Sequence, residues 1–335
     1  MPQQVRFRQQ AATIAFSANN RVAEDLARGM VYRELVLRLQ GKPTITATNN
    51  TEAKAERGDE WGVLKSLEIV ANGTDVIKKI DGNALWWLNY FMYGAAPRVT
   101  AALAGGAANP AFDSVLILPF WMPLAVKPID TALDSRELSS LEIVAQWGTY
   151  TDVNGDASAW TTEPTLEVYS LESFNTNGPF SQWRIHPIEK TIDATSSRFQ
   201  VQLPVGPIYR GFMINTIDGT ADQSDILNNF KLISGTTVFA DISAGDDVLQ
   251  QWHSLRHGIS RPWDSAAEAY DDLRRASDND LDGWYFYDHV TDGRLTEGID
   301  TLGFSEFIAE CDVTVGAGTT KLTLYPLAII PVRGG

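Results

Sequence analysis

A chain of 335 residues that is 44% hydrophobic and 21% charged holds enough apolar material for two cores, which excludes a disordered or fibrous polypeptide. Its formal net charge of -15 argues against a broad basic groove for nucleic acid. A single cysteine, Cys311, excludes an intrachain disulfide and a multi-cysteine zinc site.

The N-terminal "MPQQVRFRQQ" lacks the apolar stretch of a signal peptide. It carries Arg6 and Arg8 and no acid, so it reads either as a frayed polar terminus or as an arm facing anionic lipid or nucleic acid. The longest apolar run, Val115 to Val126, is too short to cross a bilayer and contains Pro119 and Pro123. The expectation is a soluble protein made in a reducing cytoplasm.

Further along, short phrases recur in order. Gly29 to Gly41 ("GMVYRELVLRLQG") has a later counterpart in Gly206 to Gly219 ("GPIYRGFMINTIDG"), each opening with Tyr-Arg at Tyr32-Arg33 and Tyr209-Arg210. Apolar runs follow at Leu64 to Val70 and at Asn228 to Ser234. Then come "GTDVIKKI" from Gly73 to Ile80 and "GTTVFADI" from Gly235 to Ile242. Alternating apolar positions are the period of half-buried strands.

A helical phrase follows each frame. One would be capped by Asn83 and end at Gly94; the other would be capped by Asp246 and end at Gly258. Pro128 to Thr131 ("PIDT") then aligns with Gly298 to Thr301 ("GIDT"), and Leu141 to Val144 ("LEIV") with Cys311 to Thr314 ("CDVT"). Leu166 to Leu171 ("LEVYSL") aligns last, with Leu322 to Leu327 ("LTLYPL"). Collinearity of this kind implies an internal duplication.

Each half supplies seven or eight short strands and one or two helices, without regular βα alternation or a blade-length period. The fold class expected is all-β: two tandem eight-stranded antiparallel jelly rolls with short inserted helices. The N-terminal roll is placed at 1–175, a turn-rich connector at 176–197 and the C-terminal roll at 198–335. Ala101 to Asp113 reads as a loop within the first roll.

Candidate chemistry is sparse. Asp152, Asn154, Asp156 and Glu163 occupy positions 1, 3, 5 and 12 of a calcium loop, where hard oxygen ligands belong. Ala157 stands where that loop needs glycine, so a solvated acidic loop is the competing reading. Asp278 to Gly283 has His289 at its twelfth position and reads as a turn. His253 and His257 share a helix face, but Ser254 stands where zinc-protease chemistry wants Glu, and a helix C-terminus alone accounts for them. "LAGGAANP" lacks the Lys-Ser/Thr ending of a phosphate loop, and Cys311 lies in a strand-like run where burial makes it inert. Trp86, Trp87, Trp121, Trp252, Trp263 and Trp284 read as a sugar platform or, more commonly, as core and interface.

A tandem pair of jelly rolls, each with a helix, resembles the double jelly-roll major capsid proteins of tailless icosahedral viruses. Phe199 to Gly219 ("FQVQLPVGPIYRGFMINTIDG") is similar to roll-opening strands of corticovirus-like phage capsid proteins, where a Leu-Pro-x-Gly turn precedes Tyr and an apolar strand. The first roll departs from that pattern: "EDLARGMVYRELVLRLQG" has no such turn.

The resemblance implies a non-enzymatic virion protein that forms homotrimers, six similar rolls around a threefold axis, as hexagonal tiles of an icosahedral shell. Implied partners are neighbouring trimers, minor capsid proteins at the vertices, and an internal membrane or the genome near Arg6 and Arg8, without specific nucleic-acid recognition. No cofactor is required, with calcium as the one candidate. The implied location is the capsid, after synthesis in a host cytoplasm. A two-domain sandwich that binds or cleaves carbohydrate is the alternative. A tail or spike protein of a tailed phage is a third reading that explains the duplication less well.

Overall fold

The computed structural model describes residues 4–45, 59–94, 97, 109–155, 157–174, 176–178, 180–218, 222–223, 226–243, 248–249, 252, 283–316 and 319–331. The chain divides into two units, with the break after Gln182 and the stretch Leu124–Lys127 assigned to the second.

The first unit contains β1 (Gln4–Ala15), β2 (Arg21–Asp25), β3 (Val31–Ile45), β4 (Leu64–Ala71), β5 (Asp75–Ile80), α1 (Gly82–Tyr93), β6 (Phe112–Pro119), the two-residue β7 (Leu133–Asp134), β8 (Leu141–Trp147) and β9 (Ala157–Phe174). One antiparallel sheet runs β1-β9-β3-β6, with β7 added on β3; the other runs β2-β8-β4-β5. Counting the eight long strands, the sheets read first-eighth-third-sixth and second-seventh-fourth-fifth, which is jelly-roll connectivity. Alternation drives the packing. Leu35, Leu37 and Leu39 of β3 are fully buried, as are Leu67 and Ile69 of β4 and Ile143 of β8, while Val36 and Arg38 point outward and are half-buried.

Helix α1 is apolar almost all round and accordingly buried, with Trp86, Trp87, Tyr90 and Phe91 forming a ring cluster. Its N-cap is Asp81, two residues earlier than expected, whose carboxylate accepts the Ala84 N–H at 2.8 Å. Gly94 closes it in the left-handed region at φ 70°, as expected. Gly82 is required by contact: a Cβ there would strike the Trp61 carbonyl. Buried Asn89 ties the helix to the outer edge of β6, donating to Ile117 O at 2.7 Å and accepting from Ile117 N at 2.8 Å. At Ile117 the edge strand's backbone groups are thereby already taken.

The second unit contains β10 (Gln182–Arg184), β11 (Ile188–Ile192), β12 (Ser196–Gln202), β13 (Ile208–Asp218), the short β14 (Asp222–Gln223), β15 (Leu227–Ser234), β16 (Thr237–Ser243), β17 (Trp284–Asp288), the two-residue β18 (Ile299–Asp300), β19 (Ile308–Val313) and β20 (Thr320–Ile330). Its sheets repeat the first roll's scheme: β11-β20-β13-β17, with β18 also on β13, and β12-β19-β15-β16. Phe212, Ile214, Phe230, Leu232, Leu322 and Leu324 fill its core.

Several expectations need correction. The segment placed at 176–197 as connector supplies β10 and β11, both strands of the second unit's sheet. The N-terminal arm is strand β1, paired with β9 from Gln4↔Phe174 onward. Of the second helix, Val248, Leu249 and Trp252 are helical; Asp246, His253, His257 and Gly258 lie outside the described residues, as does most of the Ala101 to Asp113 loop.

Candidate functional site

Pairing registers superpose the rolls residue by residue. Tyr32 sits opposite Leu133 of β7, and Tyr209 opposite Ile299 of β18. Each tyrosine is buried and donates its hydroxyl to the carbonyl five residues upstream, Tyr32 to Ala27 and Tyr209 to Pro204. Burial pushes the Tyr32 phenol up to about 12, helped by nearby Glu172, and raises that of Tyr209. The next residue, Arg33 or Arg210, is a β-bulge in both rolls. A hydroxyl then staples the turn: Ser135 donates to Met30 O at 2.6 Å, and Thr301 to Pro207 O at 2.7 Å.

The hairpins repeat as well. Val76 pairs with Val70 and Val238 with Ile233, and an extra residue, Ile77 or Phe239, bulges at the equivalent point. Gly73 and Gly235 carry the turns at φ 77° and 55°, which favours glycine. The cross-strand ion pair keeps its place with reversed sign, Glu68–Lys79 at 3.2 Å against Lys231–Asp241 at 3.3 Å.

Two of the sequence alignments slip by four residues. The registers equate Leu133-Asp134-Ser135 with Ile299-Asp300-Thr301, so Pro128 to Thr131 is instead a 3-10 turn preceding β7, as Leu295 to Glu297 precedes β18. Likewise Leu141, whose carbonyl accepts Leu26 N, matches Phe307, whose carbonyl accepts Leu203 N. The alignments at Tyr-Arg, Gly-Thr-x-Val and Leu166/Leu322 hold in register.

The outward faces of the equivalent sheets differ. Positions Val36, Arg38, Val115, Ile117, Glu167 and Tyr169 of the first roll correspond to Met213, Asn215, Trp284, Phe286, Thr323 and Tyr325 of the second. Every one of the second set is at most 6% exposed. In the first set Val115 is 45% exposed, and nearby Phe7 on β1 is 58% exposed and stacks on Tyr169. Arg38 lies between Asp113 at 2.6 Å and Glu167 at 3.3 Å, one cation shared by two carboxylates.

Arg6 and Arg8 are turned to Glu172, which is fully buried, at 2.6 and 3.2 Å, with Gln10 and Ser170 completing the carboxylate's partners. A buried carboxylate needs such compensation, so these two cations serve the first roll's interior rather than a free arm. The bulged arginines have diverged. Arg210 forms a fully buried pair with Asp288 at 2.9 Å, whereas Arg33 lies 5.0 Å over the Trp121 ring. The first roll has instead buried Lys78 where the second has Ala240, and burial holds the Lys78 amine well below its ordinary range.

Of the calcium candidates, Asp152 accepts from Thr149 N at 2.7 Å and pairs with Lys65 at 2.5 Å. Asn154 is buried, Glu163 is exposed on β9, and Asp156 lies outside the described residues. Among the described residues no three His, Cys, Asp or Glu side chains gather in a metal-binding group. Cys311 is buried in β19 and its thiol is pushed up to about 12 by burial. Trp86, Trp87 and Trp284 are buried, Trp252 packs on the second core and Trp121 is half-buried under Arg33; Trp263 lies outside the described residues. Of the described tryptophans in that set, Trp86, Trp87 and Trp284 are core residues rather than an exposed sugar platform. No described helix is long and apolar enough to cross a membrane.

No protein-family model and no curated protein matches the chain by sequence. Solved structures do match, over essentially its whole length. A structure from Sulfolobus Turreted Icosahedral Virus aligns with a TM-score of 0.73 at 11% identity, covering 98% of this chain and 91% of that one. The major capsid protein of Bacteriophage PM2 aligns at 0.62 and 13% identity, covering 99% and 100%. A chain of the PBCV-1 virus capsid aligns at 0.62 and 12% identity, covering 100% and 96%. The fold is a double jelly roll. At such low identity the match is one of topology, while most side chains differ.

Proposed function

We propose that the chain is a structural virion protein, a major capsid protein whose trimers tile an icosahedral shell around a genome. The observation that carries this reading is the end-to-end fold match to viral coat proteins, both rolls included. Physical logic supports it: three chains with two equivalent rolls each present six similar units about a threefold axis, and one repeated heterologous contact closes the ring. Neighbouring trimers and minor vertex proteins are the partners of such a tile, and a membrane layer beneath the shell is compatible with it. Arg6 and Arg8 share the single carboxylate of Glu172, so one positive charge is left on this face, which is compatible with its meeting an anionic membrane or genome. Light scattering on the purified protein tests the reading. A mass of three chains supports it, and a single-chain mass across all concentrations and salts overturns it.

A further inference from the structure

We propose that a cavity in the second roll binds a small aliphatic carboxylate, seated where the first roll carries the side chain of Glu172. The inference stands on residues of the second roll and goes beyond the capsid reading.

The first roll shows the chemistry. Across β3 and β9, Tyr32 pairs with Glu172 and Leu35 with Ser170. The Glu172 carboxylate is fully buried and accepts from Arg6 at 2.6 Å, Arg8 at 3.2 Å, Gln10 at 3.2 Å and Ser170 at 2.8 Å. Both arginines reach it from β1, the strand beside β9.

In the second roll the equivalent pairs are Tyr209 with Ala328 and Phe212 with Pro326. A methyl group and a pyrrolidine ring thus replace the carboxylate and the hydroxyl. A cavity of about 180 Å³ lies there, walled by Ile188, Pro207, Tyr209, Pro326, Ala328 and Ile330. Donors are kept on the same flank. Arg184 of β10 and His186 of the link to β11 line the cavity, and β10 and β11 stand beside β20 as β1 stands beside β9. Both side chains have contacts of their own, so a bound carboxylate joins an existing network. His186 and Pro204 are exposed, which opens the cavity to solvent, and the Tyr209 hydroxyl bond to Pro204 O at 2.6 Å fixes two of its walls.

Those walls select the ligand. Inorganic phosphate would lose hydration against apolar walls, whereas a carboxylate on a short alkyl chain suits an apolar pocket with a few polar groups at one side. A cavity of ~150 Å³ takes a benzene ring, so this one fits a chain of about six carbons.

Titration calorimetry of the full chain with hexanoate, hexanol and inorganic phosphate tests the assignment. Hexanoate should bind about tenfold more tightly than hexanol, because its head group gains charge-assisted hydrogen bonds, and phosphate should give no heat. Ala328→Glu restores the first roll's carboxylate and should weaken hexanoate by about tenfold or more. A second measurement needs no substitution: isotope-filtered NMR on the wild type should show contacts from the hexanoate chain to the methyl groups of Ile188 and Ile330. Hexanol binding as tightly as hexanoate, missing contacts to those methyl groups, or unchanged affinity in Ala328→Glu overturns the proposal. So does a wild type that takes up no hexanoate at millimolar concentration. The capsid reading is judged separately, from the mass of the assembled particle.

Discussion

The two rolls share a backbone frame down to single bulges, and they differ in what surrounds it. Tyr32 and Tyr209 donate to carbonyls five residues back, and the same hairpin bulge recurs at Ile77 and Phe239. Around that frame the arginine after each tyrosine has taken a different partner, the ion pair on the second sheet has reversed sign, and one outward face is sealed where the other is open. The lesson is that jelly-roll geometry is held by a few backbone-directed groups, which leaves side chains on the outer surfaces free to diverge toward assembly.

The largest expected difference lies at the bulged arginine. Arg210→Ala leaves Asp288 as an uncompensated buried charge and should cost about 3–5 kcal/mol. Arg33→Ala at the equivalent position removes a half-exposed stack over Trp121 and should cost ~1 kcal/mol. Urea denaturation of both variants measures the gap; equal costs would mean that the bulges have not diverged in energy.

The tyrosine bond should behave oppositely. Tyr32→Phe and Tyr209→Phe each delete one hydroxyl that donates to a carbonyl, at a cost of about 1 kcal/mol apiece. Unequal midpoints would break the equivalence drawn from the register. A smaller effect is expected from exchanging charges on the second roll. Lys231→Glu combined with Asp241→Lys copies the first roll's polarity but sets a carboxylate opposite Glu310, where the first roll has Val144, and should cost roughly 0.5–1 kcal/mol, with Lys231→Glu alone worse than the pair.

Acid sensitivity separates the rolls more gently. Hydrogen bonds from Gln200 and Arg198 hold the Glu310 carboxyl below its ordinary value, and the matching position in the first roll is Val144. A depressed carboxylate contributes stability that is fully present above its unfolded value near ~4.3 and is lost as pH falls through the lower folded value. Gln200→Ala should therefore flatten the acid limb of a stability profile below that pH, and Val144→Ala should shift the whole profile without changing its slope. Chelation is expected to do least. With Asp152 held by Lys65 and Thr149, addition of a calcium chelator should move the melting temperature by less than ~2 °C.

Much of this frame was legible in the residues. Gly-Thr-x-Val announces a hairpin because only glycine readily takes the positive φ of Gly73 and Gly235, and Tyr-Arg falls at the bulge in both rolls. What stayed hidden depends on tertiary partners. Asp81 outcompetes Asn83 as the helix cap because the chain enters from β5 at that residue, which no local pattern shows. The four-residue slip at Pro128 arose because a 3-10 turn and a two-residue strand leave almost no periodicity to align. Arg6 and Arg8 looked like free cations because Glu172, their partner, lies more than 160 residues away in sequence. Likewise, nothing in Val36 or Met213 alone tells which will be covered.

Electron microscopy of single purified particles tests the central claim most directly. The account predicts flat particles of hexagonal outline whose class averages show threefold symmetry with six similar lobes, two from each chain. Separate two-lobed particles of one chain, unchanged by concentration or salt, would contradict it.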